Sequence, residues 1–260
     1  AEQNMMGVAA GLALSGKTAF AASFGVFSPG RNWDQLRVSV CYSQANVKII
    51  ASHTGLSVGA DGASHQALED IAITRCLPNL TVIAPGDYLE TKKATIEAAK
   101  TQGPVYLRFA RQASPIFTTT SSTFKIGKAN ILLPGKDITI IGCGPILYEA
   151  LLAAKELKKK KINLEVINCH TIKPLDKTTI LRSVKKTGRL ITLEDHQIMG
   201  GLGSAVVEML AESSSARPVP TKMIGVRDSF GGSGKQDELW DKFKMSHPHI
   251  IKAVLKLINY

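Results

Sequence analysis

Aromatic side chains are scarce, at 6% of 260 residues against a hydrophobic share of 44%. The core must therefore be built from Ala, Val, Ile and Leu, as in α/β proteins, and the length suffices for one large or two modest domains. Cysteine is equally sparse. Cys41, Cys76, Cys143 and Cys169 lie far apart, and none forms a CxxC or a Cys/His zinc spacing. This argues against a disulfide framework or a zinc site and predicts buried free thiols in a reducing compartment. Apolar runs stop short of the roughly 18 residues a membrane span requires, and no signal peptide is visible. A soluble, cytoplasmic protein that does not engage membranes is the expectation. Acid is also in deficit, with 21 Asp+Glu against 32 Lys+Arg and a net charge of +11. The lysines are mostly scattered, and the one dense run, 158–161, ends an amphipathic helix with no interleaved aromatic platform for bases. Nucleic acid is therefore not the expected partner; the positive field suits anionic substrates or an acidic partner chain.

What the sequence does have is β-α alternation. Glu2 heads a helix in which Met6, Ala9, Ala10 and Ala13 recur at helical spacing, closed by Ser15 and Gly16. Its small residues permit close approach of a neighbour, so an interface and self-association, at least to a dimer, are expected. The chain opens abruptly at Ala1 in this helix, and an N-terminal part of the first domain is expected to be missing. Residues 17–23 read as a strand, and Ser28-Pro29 opens a helix over 31–41. Residues 46–51 (NVKIIA) read as a buried strand, 66–77 as a helix and 80–84 as a strand. Asp87 is the N-cap of a helix running through Lys100, with Glu90 at capping-box spacing, and 104–109 is another strand. This order predicts a parallel sheet with right-handed crossovers.

Residues 113–134, rich in Ser, Thr and Pro at their start, read as a linker with an extended stretch over 124–134. Alternation then resumes, with strands at 137–141, 162–168, 190–193 and 221–226. Helices are expected at 145–159, 175–187, 201–210, 236–242 and 247–259. Gly142-Cys143-Gly144 lacks the third glycine of a dinucleotide fingerprint and reads as a tight strand-to-helix turn. The fold class is thus α/β, with two consecutive domains, 1–112 and 135–260, each a mainly parallel sheet flanked by helices.

The densest gathering of reactive residues is the window 53–66, HTGLSVGADGASHQ, where His53, Asp61 and His65 alternate with Gly55, Gly59 and Gly62. It joins a strand to a helix, at the carboxyl end of a strand, where open α/β sheets bind ligands. A polar, Gly-rich connection is also the ordinary way to leave a strand. Two imidazoles and a carboxylate in one loop favour function.

Four stretches in order, AEQNMMGVAAGLA, HTGLSVGADGASHQALEDIA, LPNLTVIAPGD and EDHQIMGGLG, give the chain its resemblance to the C-terminal half of transketolase. It looks most like the split form encoded as two polypeptides. The resemblance covers nearly the whole chain and implies a thiamin diphosphate enzyme, with a pyrimidine-binding domain followed by a transketolase C-terminal domain. The domain that grips the diphosphate has no counterpart here. A partner chain is thereby implied, carrying that domain and its Mg²⁺ (or Ca²⁺), with the active site between subunits.

The resemblance also implies roles. Glu2, by composition an exposed acid in a helix's first turn, becomes the carboxyl group that bonds the pyrimidine ring nitrogen and activates the cofactor. Phe24 and Phe27, otherwise readable as core, would pack on the aminopyrimidine; the aromatic often found at the position of Gly30 is absent. His65 would stabilise the reacting carbonyl or shuttle a proton, and Asp61 would accept a hydrogen bond from a substrate hydroxyl. His53 and Arg111 would hold a sugar phosphate. Arg108, by strand alternation, faces the other way. Glu194, Asp195 and His196 offer no complete ligand set, and the second domain reads as packing and subunit contact. The implied activity is transfer of a two-carbon ketol unit between phosphorylated sugars. Rival readings are a deoxyxylulose-phosphate synthase, a 2-oxo-acid dehydrogenase β subunit, and a noncatalytic scaffold.

Overall fold

The β-branched runs condense into two five-stranded sheets in the computed structural model, which describes residues 1–213 and 218–259. In the first sheet β1 (Ala19–Phe24), β2 (Val47–Ser52), β4 (Val105–Arg108) and β3 (Thr81–Ile83) lie side by side and parallel. The second sheet runs β10 (Thr221–Val226), β9 (Leu190–Gln197), β6 (Ile138–Gly142), β7 (Leu164–Asn168) and β5 (Asn130–Leu133). Its strands are parallel except β5, which pairs antiparallel with β7 from within the segment expected to link the domains.

Helices cover the faces, as buried strands require. On the first sheet these are α1 (Glu2–Leu14), α3 (Asp70–Arg75), α4 (Tyr88–Lys100) and α2 (Trp33–Gln35), the last continuing as a π-helix over Leu36–Tyr42. On the second they are α5 (Leu147–Lys159), α6 (Lys177–Thr187) and α7 (Leu202–Glu212), with α9 (His247–Ile258) packed on α5 and α8 (Gln236–Lys242) on the turn over Leu56–Asp61. Met6, Ala9, Ala10 and Ala13 form the buried stripe of α1, as their spacing predicts. Among the described residues no helix is long and apolar enough to cross a membrane.

The two halves are sewn together. β8 (Thr171–Lys173), which follows β7 in the chain, crosses over and adds to the first sheet as an antiparallel strand beside β3. One apolar cluster runs from Met6 and Val47 through Tyr106 to Ile141, Leu190 and Leu202, so the domains share a core. The exchange works in the other direction too: Leu56 and Leu68, from the loop region after β2, sit in the second domain's cluster with Ile140, Leu193 and Trp240.

Several sequence expectations are corrected. The helix expected over 66–77 is confined to α3, because Gln66 and Leu68 are drawn toward the second domain. The helix expected over 31–41 begins at Trp33. The capping box before α4 is half formed: Asp87 accepts from the Glu90 N–H at 2.9 Å, but the Glu90 carboxylate turns away. It accepts from Gly86 N–H at 2.7 Å and from Asn168 Nδ2 at 2.7 and 2.9 Å, bonding the domains instead. Burial pushes its carboxyl up to about 6. Cys41, Cys143 and Cys169 are buried free thiols as expected, whereas Cys76, one residue past α3, is exposed. The first sheet is mainly parallel as expected, with β8 as its one antiparallel strand among the described residues.

Candidate active site at the carboxyl end of the first sheet

β1 and β2 pair in register from Ala19↔Val47 to Phe24↔Ser52, so Phe24 ends β1 directly beside the residue that precedes His53. The His53 ring lies flat on Phe24, with centroids 3.7 Å apart and planes 12° from parallel. Phe27, one turn further on, holds its ring parallel to Phe24 at 6.0 Å. His65 closes the group, meeting Phe27 at 5.5 Å and Phe24 at 6.3 Å edge-on. Four rings from two separate loops therefore share one patch.

His53 adopts φ +54, a left-handed conformation that a non-glycine residue avoids unless its surroundings impose it. The stacking on Phe24 and the contact of Nδ1 with Ser52 Oγ at 3.0 Å supply those surroundings. Burial first, then the nearby Arg111 charge, hold the His53 pKa below its usual value, which favours neutral imidazole at neutral pH.

Glu2 joins the patch through Arg31. The guanidinium carbon sits 4.1 Å above the Phe27 ring, and Nη1 lies 3.5 Å from Glu2 Oε2. Backbone hydrogen bonding at Glu2, and further the Arg31 charge, hold this carboxyl below its usual range against the opposing effect of burial. The outer wall is the ion pair between Arg111 Nη1 and Asp61 Oδ2 at 3.2 Å, and the same Nη1 donates to Val58 O at 2.7 Å. Both partners are over a third exposed, so the pair adds little stability and its charges stay available to a ligand. Asp61 and Arg111 are thus joined by their ion pair, and His53 and His65 by their shared contacts with the Phe24 ring.

Arg108 points away, as alternation along β4 predicts. It is buried, donating from Nε to Asp70 Oδ2 at 2.8 Å and from Nη2 to Asp70 Oδ1 at 3.2 Å and Asp195 O at 2.8 Å. Sequence reasoning did not single out Arg31, although its position four residues after Phe27 in a helical start was a usable signal. It also missed how the acids of the second domain are used. Glu194 accepts from Leu202 N–H at 2.6 Å and Gly203 N–H at 2.8 Å, and burial pushes its pKa up to about 8. His196 Nε2 accepts from Ile71 N–H at 3.2 Å. Glu194 thus holds the first turn of α7 within the second domain, whereas His196 binds the domains to one another.

A flat, nitrogen-rich cation stacked on Phe27 and bonded to a carboxylate is what an aminopyrimidine ring would also require: an aromatic face and an acid at a ring nitrogen. The Arg31 guanidinium acts as a stand-in for that ring, and the residues present fit it.

A carboxylate, two phenyl rings and two imidazoles thus gather at the carboxyl end of the first sheet of a two-domain α/β chain. Comparison with known proteins places the chain in a family. Residues 1–116 match the transketolase pyrimidine binding domain, and residues 127–250 match the transketolase C-terminal domain. A putative transketolase C-terminal section from Methanocaldococcus jannaschii is 45% identical over 98% of this chain and 80% of its own length. A 6-deoxy-6-sulfo-D-fructose transketolase subunit from a Clostridium species is 42% identical over 97% of this chain and 78% of its own. A solved structure described as a split gene transketolase, inactive beta4 tetramer, superposes with a TM-score of 0.92 at 41% identity, over 100% of this chain and 82% of that one. This chain belongs to the transketolase family, a family whose members depend on thiamin diphosphate.

Proposed function

We infer that this chain is the C-terminal subunit of a split transketolase that moves a two-carbon ketol unit from a ketose phosphate to an aldose phosphate. A second polypeptide would supply the diphosphate-binding domain and its Mg²⁺ or Ca²⁺. The observation that carries this reading is the meeting of Glu2 and Phe27 on one planar cation, beside stacked Phe24 and His53. Support also comes from relatives of similar extent that are named as transketolase sections or subunits.

Bound thiamin diphosphate supplies a nucleophilic carbon and an electron sink for breaking the bond beside the ketose carbonyl. This chain's residues do the rest. Glu2 shares a proton with the pyrimidine ring nitrogen, and Phe24 and Phe27 offer an apolar wall that keeps water from that contact. His65 stabilises negative charge growing on the carbonyl oxygen and hands a proton to it. Asp61 accepts a hydrogen bond from a substrate hydroxyl and so reads its configuration. Arg111 presents two N–H groups to the phosphate oxygens, with neutral His53 completing the grip.

The test is turnover with the partner polypeptide present. Xylulose 5-phosphate with an aldose phosphate should give ketol transfer, and Glu2→Gln should abolish it while leaving the melting temperature unchanged. Pyruvate should not serve as donor. Turnover with pyruvate and none with the ketose would transfer the chain to the deoxyxylulose-phosphate synthase class. Preference for a sulfonated ketose over its phosphate would keep the reaction and change the substrate.

A further inference from the structure

The loop that carries His53, Asp61 and His65 is held by the second domain at both ends. At its start, the Leu56 N–H donates to Asp195 Oδ1 at 3.0 Å, and Leu56 itself is buried in the second domain's core. The fit there is close. Gly55 has φ +71, and a Cβ on it would come within 2.6 Å of the Asp195 carboxyl carbon. At the loop's end, the Gln66 side chain reads one backbone unit of the second domain as a base reads its pair. Its Nε2 donates to Gly232 O at 2.9 Å, and its Oε1 accepts from Gly232 N–H at 3.0 Å. A Cβ on Gly231 would meet the Gln66 side-chain carbonyl carbon at 2.8 Å, so only glycine lets the two strands of contact close.

Asp195 is itself fixed. Its backbone oxygen accepts from Arg108 at 2.8 Å, its neighbour His196 accepts from Ile71, and Gln197 N–H donates to Leu68 O at 2.8 Å. Asp195 is fully inside, where an acceptor with a single geometry costs no reorganisation when the loop docks.

We propose that Asp195 and the Gly231–Gly232 turn are positioning elements for the substrate-facing loop, so that the second domain sets the alignment of Asp61 and His65. What the aligned loop then contacts rests on the ketol-transfer reading; the clamp itself does not.

The experiment uses the chain assembled with its partner polypeptide and compares wild type with Gly231→Ala, Asp195→Ala and Asp195→Asn. Gly231→Ala alters an accessible turn, so it keeps the test alive if Asp195→Ala fails to fold. Hydrogen exchange of the amides of residues 55–66 should accelerate at least tenfold in Gly231→Ala and Asp195→Ala, with β2 and β4 unchanged. Asp195→Asn, which keeps the acceptor oxygen, should restore protection. The ratio of kcat/KM for two donors epimeric at the hydroxyl read by Asp61 should fall at least fivefold in the same two variants. That ratio is independent of the fraction of active enzyme, so a general loss of folded protein leaves it unmoved. Unchanged exchange overturns the clamp, and faster exchange with an unchanged ratio overturns its role in positioning. If the wild-type assembly transfers no ketol unit, the functional reading falls, while the exchange data still decide for or against the clamp.

Discussion

Replacing Arg108 with Met removes a cation whose head is buried and shared between the two domains. In the native chain it gives two hydrogen bonds to Asp70, at 2.8 and 3.2 Å, and one to the backbone oxygen of Asp195 at 2.8 Å. Burial disfavours its charge, yet Asp70 outweighs that and keeps it firmly protonated. Met fills much of the volume but leaves Asp70 with Tyr106 Oη, which donates at 2.8 Å, as its remaining side-chain partner. Breaking one side of a buried pair costs about 3–5 kcal/mol. For a chain of this length about 2 °C of melting temperature accompanies each kcal/mol, so a fall of about 6–10 °C is expected by calorimetry or circular dichroism. Adding Asp70→Asn, which removes the stranded charge while keeping an oxygen for Tyr106, should recover about half of it. A single variant melting within 2 °C of wild type, or a double variant no better than the single, would refute the view that this buried pair supports the domain junction at Asp195.

Arg111→Ala should raise KM at least tenfold for phosphorylated acceptors and less than twofold for unphosphorylated ones; equal effects on both would remove Arg111 from the phosphate site. Asp61→Ala should cut discrimination between epimeric donors about tenfold, read by direct competition, and unchanged discrimination would count against its hydroxyl contact. His170 is buried against Phe124 at 4.2 Å, and burial lowers its pKa from 6.5 to about 4. The unfolded chain therefore takes up this proton first, and His170 makes wild type lose stability as pH falls from 6.5 toward 4. Denaturant unfolding of His170→Phe should show a stability difference that moves in the variant's favour by up to about 1.4 kcal/mol per pH unit across that range. A difference that is flat with pH would mean the native imidazole protonates freely.

Much of the fold was legible because the strands are short aliphatic runs and the helices carry clear end signals. Asp87 capping α4 and the Gly142-Cys143-Gly144 turn behave as their residue types require. What was illegible depends on contacts far apart in sequence. β8 is three residues, TIK, too short to show any period, and its place in the first sheet is set by β3 on the other side of the molecule. The helix expected over 66–77 loses its first turn because Gln66 finds a better bond with Gly232, 166 residues away. Glu90 abandons its capping box for Asn168 for the same reason. In the ring patch, His53 and His65 were legible from the loop that carries them, whereas Phe24 and Phe27 were nameable only through the family resemblance; composition alone would have put both phenylalanines in a core. Arg31 had one usable signal, its place four residues after Phe27, but its meeting with Glu2 required the structure.

The central claim is that the cofactor site is completed by this chain together with a second polypeptide. Calorimetric titration of thiamin diphosphate with Mg²⁺ into this chain alone, and then into its mixture with a chain carrying a diphosphate-binding domain, tests it most directly. Binding confined to the mixture, and weakened by Glu2→Gln, is the expected result. Equally tight binding to this chain alone, or no binding in the mixture, would contradict it.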